Sequence, residues 1–208
     1  MGDYQIKIEL LSETILGSGE SVAGYIDLDV LHDDLGLPYF KGKTLKGRLR
    51  EEAENIVRLQ GNIFSQKQVE KIFGTKDGGD NTRLALSDST VSEKIKKAIK
   101  ASEIGAEDIL DALTEVRTFT AIDDNGVARD GSLRQIRVIK RGLMLSSKVT
   151  FRNEINDDDL MLFGLSVLSL KHIGLMCSRG KGKVKCTILK ENEDISNMII
   201  DKFREKVK

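Results

Sequence analysis

Apolar and polar residues alternate at the start of the chain. Tyr4, Ile6, Ile8 and Leu10 are interleaved with Gln5, Lys7 and Glu9, the two-residue period of a half-buried strand. After the turn Gly17-Ser18-Gly19, a second alternating run sets Ile26, Leu28 and Val30 on one side and Asp27 and Asp29 on the other, so a further strand is expected there. Beyond Gly36-Leu37-Pro38 the period becomes helical. Leu45, Leu49, Ala53, Ile56 and Val57 predict a helix over about residues 45–59, with Thr44 as its N-cap. A short strand is expected at residues 83–87, and residues 91–101 and 107–114 read as weaker helical pieces. The stretch 121–131, AIDDNGVARDG, reads as an exposed loop or hairpin tip.

Leu143, Leu145, Ser147, Val149 and Phe151 alternate as a strand. Asn156, followed by three aspartates, opens a helix in which a capping side chain and acidic first-turn residues suit the dipole. That helix presents Leu160, Phe163, Val167 and Leu168 on its apolar face and should end near Gly174. Val184, Cys186 and Ile188 alternate as a last strand, and Ile195, Ile199, Phe203 and Val207 predict a C-terminal amphipathic helix. Without the intervening segments the order is strand, helix, strand, strand, helix, strand. This is an α+β chain with a ferredoxin-like, split βαβ core, an arrangement shared by many RNA-recognition modules.

Composition changes this picture little. The 208 residues can bury one substantial core, and the 33 basic and 33 acidic residues cancel, so only a local basic face could attract nucleic acid. With no tryptophan and 5% aromatics, the chain lacks the platforms that stack bases in many single-strand binders; RNA contacts should run through phosphate and sugar. Cys177 and Cys186 are expected as small core residues rather than a disulfide. No leader pattern or apolar run of about 18 residues stands out, so a soluble, cytoplasmic protein is expected, away from any membrane.

Three segments could carry chemistry. In Lys41-Gly42-Lys43-Thr44-Leu45-Lys46-Gly47-Arg48-Leu49-Arg50, five basic residues gather where the first helix begins, the end at which the dipole is already positive. An anion there would be held by backbone N–H groups and side chains together, with Gly42 and Gly47 allowing close approach; the alternative is a solvated face balanced by Glu51, Glu52 and Glu54. The loop Ser178-Arg179-Gly180-Lys181-Gly182-Lys183 could likewise face phosphates, or could simply end a helix with exposed lysines. Asp27 and Asp29, near His32, Asp33 and Asp34, could hold a magnesium-like ion or take a proton from a ribose hydroxyl; an ordinary polar strand face is the plainer alternative. His172 follows a helical apolar pattern and is expected to be packed or exposed rather than catalytic.

Taken together, GYIDLDVLHDD, LPYFKGKTLKGRLREEA, the IFG of residues 72–74 and CSRGKGKV resemble the RAMP superfamily, specifically the repeated backbone subunit with ribonuclease activity of type III CRISPR effector complexes. TEVRTFTAIDDNGVARDGSLRQI is similar to that family's thumb hairpin. The resemblance implies a single domain over residues 1–208, a modified RNA-recognition-motif core with insertions at about 61–82, 91–114 and 119–135 that form the thumb and a helical lid. It implies copies stacked head to tail on a guide RNA with other effector subunits, and regular cleavage of complementary target RNA assisted by a divalent metal ion, Mg2+ being expected. Asp27 then matches the required aspartate, with Asp29 as fallback. Lys41, Lys43, Thr44, Lys46, Arg48 and Arg50 would grip the guide, supported by Arg179, Lys181 and Lys183, while Arg129 and Arg134 would meet the duplex. A non-catalytic guide-binding scaffold and a guide-processing endoribonuclease using His32 are the alternatives within the superfamily.

Overall fold

The computed structural model describes residues 3–21, 26–75, 83–121, 126, 127, 129 and 131–208. Gly24 and Tyr25 of the aspartate motif, residues 76–82 of the first expected insertion and much of the hairpin tip (122–125, 128 and 130) lie outside them.

The alternation at the start of the chain becomes β1 (Tyr4–Leu10), whose even-numbered side chains are buried. Strand β1 lies antiparallel between β5 (Met144–Phe151) and β6 (Val184–Lys190), so that Ile6 stands opposite Ser147 and Ile188, and Ile8 opposite Leu145 and Cys186. Two short strands complete the sheet, β2 (Leu84–Leu86) beside β5 and β7 (Glu193–Asp194) beside β6, giving the order β2-β5-β1-β6-β7. Helix α1 (Gly42–Leu59) and helix α5 (Asp157–Ser169) supply the two crossovers, so β1, α1, β2, β5, α5 and β6 follow the split βαβ order.

The core lies between the sheet and these helices. Leu45, Leu49 and Ala53 of α1 and Phe163 and Val167 of α5 are inaccessible to solvent. Each buried leucine or phenylalanine contributes about 1.5–3 kcal/mol. Asn156 caps α5 by accepting the Asp159 N–H at 2.8 Å, as expected, but the helix stops at Ser169, short of Gly174. Helix α2 (Gln66–Phe73) adds Val69, Ile72 and Phe73 to the core, and α6 (Ser196–Val207) adds Ile199. Helices α3 (Glu93–Lys100) and α4 (Ala106–Leu113) lie within the second expected insertion; α3 buries no residue fully, whereas α4 buries Ile109 and Leu110.

A second sheet pairs β3 (Thr114–Phe119) with β4 (Arg134–Ile139), forming a hairpin whose ends connect through residues 120–133. The hairpin has a small core of its own: Ile136 and Val138 pack with Ile15, against Leu28, Phe119 and Met176. The hairpin is thereby attached to the two segments singled out for chemistry, the one containing Asp27 and the glycine-rich loop.

Candidate nucleic-acid interface

Helix α1 begins three residues earlier than its periodicity suggests, with Lys41 rather than Thr44 at the N-cap position. The positive end of the helix is met from within the chain, because Gly42 N–H donates to Asp88 Oδ1 at 2.8 Å. Glycine at 42 serves packing: a Cβ there would lie 2.5 Å from the Leu86 carbonyl oxygen and 2.6 Å from that of Ser87. One of the first-turn amides expected to cradle an anion is therefore engaged by an aspartate.

The basic residues of α1 divide by what they touch. Lys46 Nζ donates to the Leu84 carbonyl at 3.0 Å, Arg48 pairs with Glu51 at 2.5 Å and Arg50 with Glu54 at 3.0 Å. Lys41, Lys43 and Thr44 are exposed, and nothing lies within 4 Å of a Cβ built at Gly47. Lys41, Lys43 and the open surface at Gly47 form the accessible part of this segment, while Lys46 and Arg50 support the fold.

In the glycine-rich loop, a single 3-10 turn at Cys177–Arg179 is bounded by the left-handed residues Met176 and Gly180. Gly182, at φ 71°, passes so close to Ile173 that an added Cβ would lie 1.9 Å from its carbonyl oxygen. Lys181 does not face outward, since its ammonium is bound to the Glu13 carboxylate. Arg117 of β3 holds that same carboxylate, with Nε at 3.0 Å and Nη2 at 2.5 Å. The Arg117 hydrogen bond, with Lys181 adding to it against the opposing effect of burial, keeps the Glu13 carboxyl below its ordinary range. Arg179 and Lys183 remain exposed.

Residues 174–179 line two grooves. One, of about 350 Å³, lies against Thr44 and Arg48 of α1, with Leu31, Phe40 and Cys177 in its walls. The other, of about 330 Å³, lies at the loop end of the hairpin ladder between Phe119, Arg134, Met176 and Arg179. The two basic segments, remote from each other along the chain, thus meet, and Arg134 joins Arg179 across the second groove. Arg129 is exposed; its N–H donates to the Ala121 carbonyl at 2.9 Å.

Asp27 and Asp29 do not lie on a strand. Residues 26–30 form only isolated bridges, Leu28 with Ile136 and Val30 with Gly17. The alternation is nonetheless real, because Ile26 and Val30 are buried while the Asp27 side chain is 43% exposed. Asp27 Oδ2 accepts the Gln135 N–H at 2.7 Å, and Oδ1 stands 3.7 Å from Arg134 Nη1. Asp29 is held inside: its Oδ1 accepts the Val30 N–H at 2.7 Å and lies 3.1 Å from Arg137 Nε, which leaves Asp27 as the outward acid of the pair.

Among the described residues no group of three His, Cys, Asp or Glu side chains could hold a metal ion, and no helix is long and apolar enough to cross a membrane. His32 is exposed, with Nδ1 3.1 Å from the Asp33 carbonyl, and His172 is half-buried beside Lys183. Both cysteines are free: Cys186 is buried, as expected, while Cys177 is only half-buried. Glu13, Asp88, Asp111 and Arg137 organise the site but were not singled out by spacing. Arg137 alone left a trace, a cation within the apolar run Ile136-Arg137-Val138-Ile139.

Comparison with known proteins places the fold and the family. The curated CRISPR system Cms endoribonuclease Csm3 of Mycobacterium tuberculosis is 26% identical over 199 residues, covering 84% of this chain and 80% of that protein. A chain of the Type III-B Cmr-beta complex bound to cognate target RNA superposes with a TM-score of 0.67 at 12% identity, over 89% of this chain and 96% of that one. A chain from the apo state of Cmr-beta gives 0.65 at 14% identity, over 91% and 98%. The family model for the RAMP superfamily matches residues 7–185, and the chain accordingly belongs to the RAMP superfamily.

Proposed function

We propose that this chain is a backbone subunit of a type III RNA-guided effector complex that grips guide RNA and cleaves complementary target RNA. The observation that carries the reading is the Asp27 carboxylate, exposed at the loop end of the β3–β4 ladder and next to a groove whose walls include Arg134 and Arg179. Lys41, Lys43, Thr44 and Arg48 would follow the guide backbone into the groove beside residues 174–177, with Arg179 and Lys183 at its end. Arg129 and Arg134, on the hairpin, would meet the duplex. Lys46, Arg50 and Lys181 would support this surface from behind. Such subunits would stack head to tail on the guide in the cytoplasm, flanked by other subunits of the complex.

In cleavage, a target-strand 2′ hydroxyl attacks the adjacent phosphorus, the bond to the 5′ oxygen of the next nucleotide breaks, that oxygen takes a proton from water and leaves as a 5′ hydroxyl, and a 2′,3′-cyclic phosphate forms. Asp27 accepts the proton leaving the 2′ oxygen, while Arg134 and Arg179 offset charge on the phosphate oxygens. Magnesium commonly uses one or two carboxylates together with substrate phosphates, and Asp27, whose Oδ1 accepts no hydrogen bond among the described residues, fits as one such ligand. When bound there, the ion would stabilise developing negative charge.

A scaffold without chemistry is the second reading. It is favoured by one observation: Asp27 Oδ2 is used structurally, as the acceptor for the Gln135 N–H. Asp27→Ala in the assembled complex separates the two. Loss of cutting with guide binding intact supports the nuclease; undiminished cutting at the same positions leaves the scaffold.

A further inference from the structure

We propose that Arg137 is a positioning residue, which holds the segment bearing Asp27 against the hairpin and so couples placement of the hairpin to placement of the catalytic carboxylate. The proposal rests on the nuclease reading of Asp27 and reaches one residue further.

Arg137 lies on β4, is 8% exposed, and its guanidinium reaches three elements. Nη1 donates to Asp111 Oδ1 of α4 at 2.6 Å and to Thr114 Oγ1 at the start of β3 at 3.0 Å. Nε faces Asp29 Oδ1 at 3.1 Å, but finds no aligned acceptor, so this arm holds by charge. The backbone reinforces the link: Arg137 N–H donates to the Leu28 carbonyl at 3.0 Å, and Asp27 N–H donates to the Gln135 carbonyl at 2.8 Å. Residues 27–29 are thus laid along β4 by main-chain bonds and locked at their far end by one buried cation. A cation buried this deeply persists only when paired, and Asp29 is its partner on this segment. The same guanidinium grips α4 and β3, so displacement of the hairpin or of α4 is transmitted to the peptide that carries Asp27.

The prediction is a loss in the chemical step rather than in binding. In assembled complexes with guide, Arg137→Gln should slow single-turnover cleavage at saturating target on the order of 10²-fold, the cost of misplacing a reacting group by about 1 Å. Target affinity should stay within about twofold. Amide exchange at residues 27–29 should quicken. Arg137→Lys, which keeps the charge but cannot fork, should fall between Arg137→Gln and the unaltered chain. Asp29→Asn removes the charge contact while sparing Asp111 and Thr114, so it gives the same reading if Arg137→Gln does not assemble.

The proposal is overturned if Asp27→Ala abolishes cutting while Arg137→Gln and Asp29→Asn leave the rate unchanged, or if their loss lies wholly in target affinity. Should Asp27→Ala cut normally, the nuclease reading fails on its own account. Exchange at residues 27–29 then decides whether Arg137 holds the segment at all: unchanged exchange in Arg137→Gln overturns that too.

Discussion

Asp27 and Gln135 are joined twice, once through Asp27 N–H to the Gln135 carbonyl at 2.8 Å and once through Gln135 N–H to Asp27 Oδ2 at 2.7 Å. The carboxylate closes a bridge that backbone alone would leave open. Asparagine can still accept from Gln135 but cannot take a proton as a carboxylate does. Asp27→Asn should therefore keep the thermal stability of the unaltered protein, while Asp27→Ala loses about 1 kcal/mol. Both should lose on the order of 10²–10⁴ in cleavage rate. Full-rate cutting by Asp27→Asn would show that the charge is not used.

The lysines of α1 are expected to separate by function. Lys41→Ala with Lys43→Ala should lower the slope of log affinity for single-stranded guide against log salt by roughly 1.4, about 0.7 for each phosphate left without its lysine. Lys46→Ala, which removes the bond to the Leu84 carbonyl, should leave that slope alone and reduce stability instead. Salt titrations of guide binding alongside melting curves test the division.

Glycine substitutions probe the same surface. Gly42→Ala and Gly182→Ala must force backbone apart, because their Cβ atoms would lie 2.5 Å and 1.9 Å from carbonyl oxygens, and both should be strongly destabilised. Gly47→Ala meets nothing and should gain about 0.5–1 kcal/mol from helix propensity. If RNA lies against Gly47, that same variant binds guide more weakly although it is more stable.

The Lys181–Glu13–Arg117 chain should make attachment of the loop to the hairpin acid-sensitive. Glu13 has its folded pKa lowered from the ordinary 4.5, first by Arg117, so its contribution is present above that value and fades as pH falls through the lower folded one. Glu13→Gln should then cost about 1 kcal/mol near neutrality, a modest figure for a partly exposed network. The difference in melting temperature from the unaltered chain should close on acidification below pH 4.5.

The two thiols should react unequally. Burial pushes the Cys186 thiol up to about 12, whereas Cys177 is half-buried and lines the groove beside Thr44 and Arg48. Alkylation of the folded protein at mild alkaline pH should modify Cys177 alone and weaken guide binding by filling the groove. Modification at Cys177 with unaltered affinity would place the guide elsewhere.

Where periodicity was strong, the fold was legible in the sequence. The even-numbered residues of β1 and Leu45, Leu49 and Ala53 of α1 are buried as their spacing requires, because one face of each element has a single place to go. Alternation by itself sets Asp27 and Asp29 on one face without distinguishing them, because it reports sidedness and not what lies on each side. Arg137, far along the chain, makes them unequal. The N-terminus of α1 is only partly legible for the same reason: Asp88, which accepts the Gly42 N–H, is distant in sequence. Helix α2 was within reach, since Ser65 and Gln68 form a capping box, with Ser65 N–H donating to Gln68 Oε1 at 2.8 Å.

The three-residue β2 at the rim of the main sheet has a wider consequence. Leu84 and Leu86 turn their carbonyls away from β5, one toward the Lys46 ammonium and the other toward the backbone at Gly42. Helix α1 therefore shields the rim that a newly made chain would otherwise offer to a neighbour for strand addition. Lys46 and Gly42 thus close this strand edge from within the chain, whether or not nucleic acid is present.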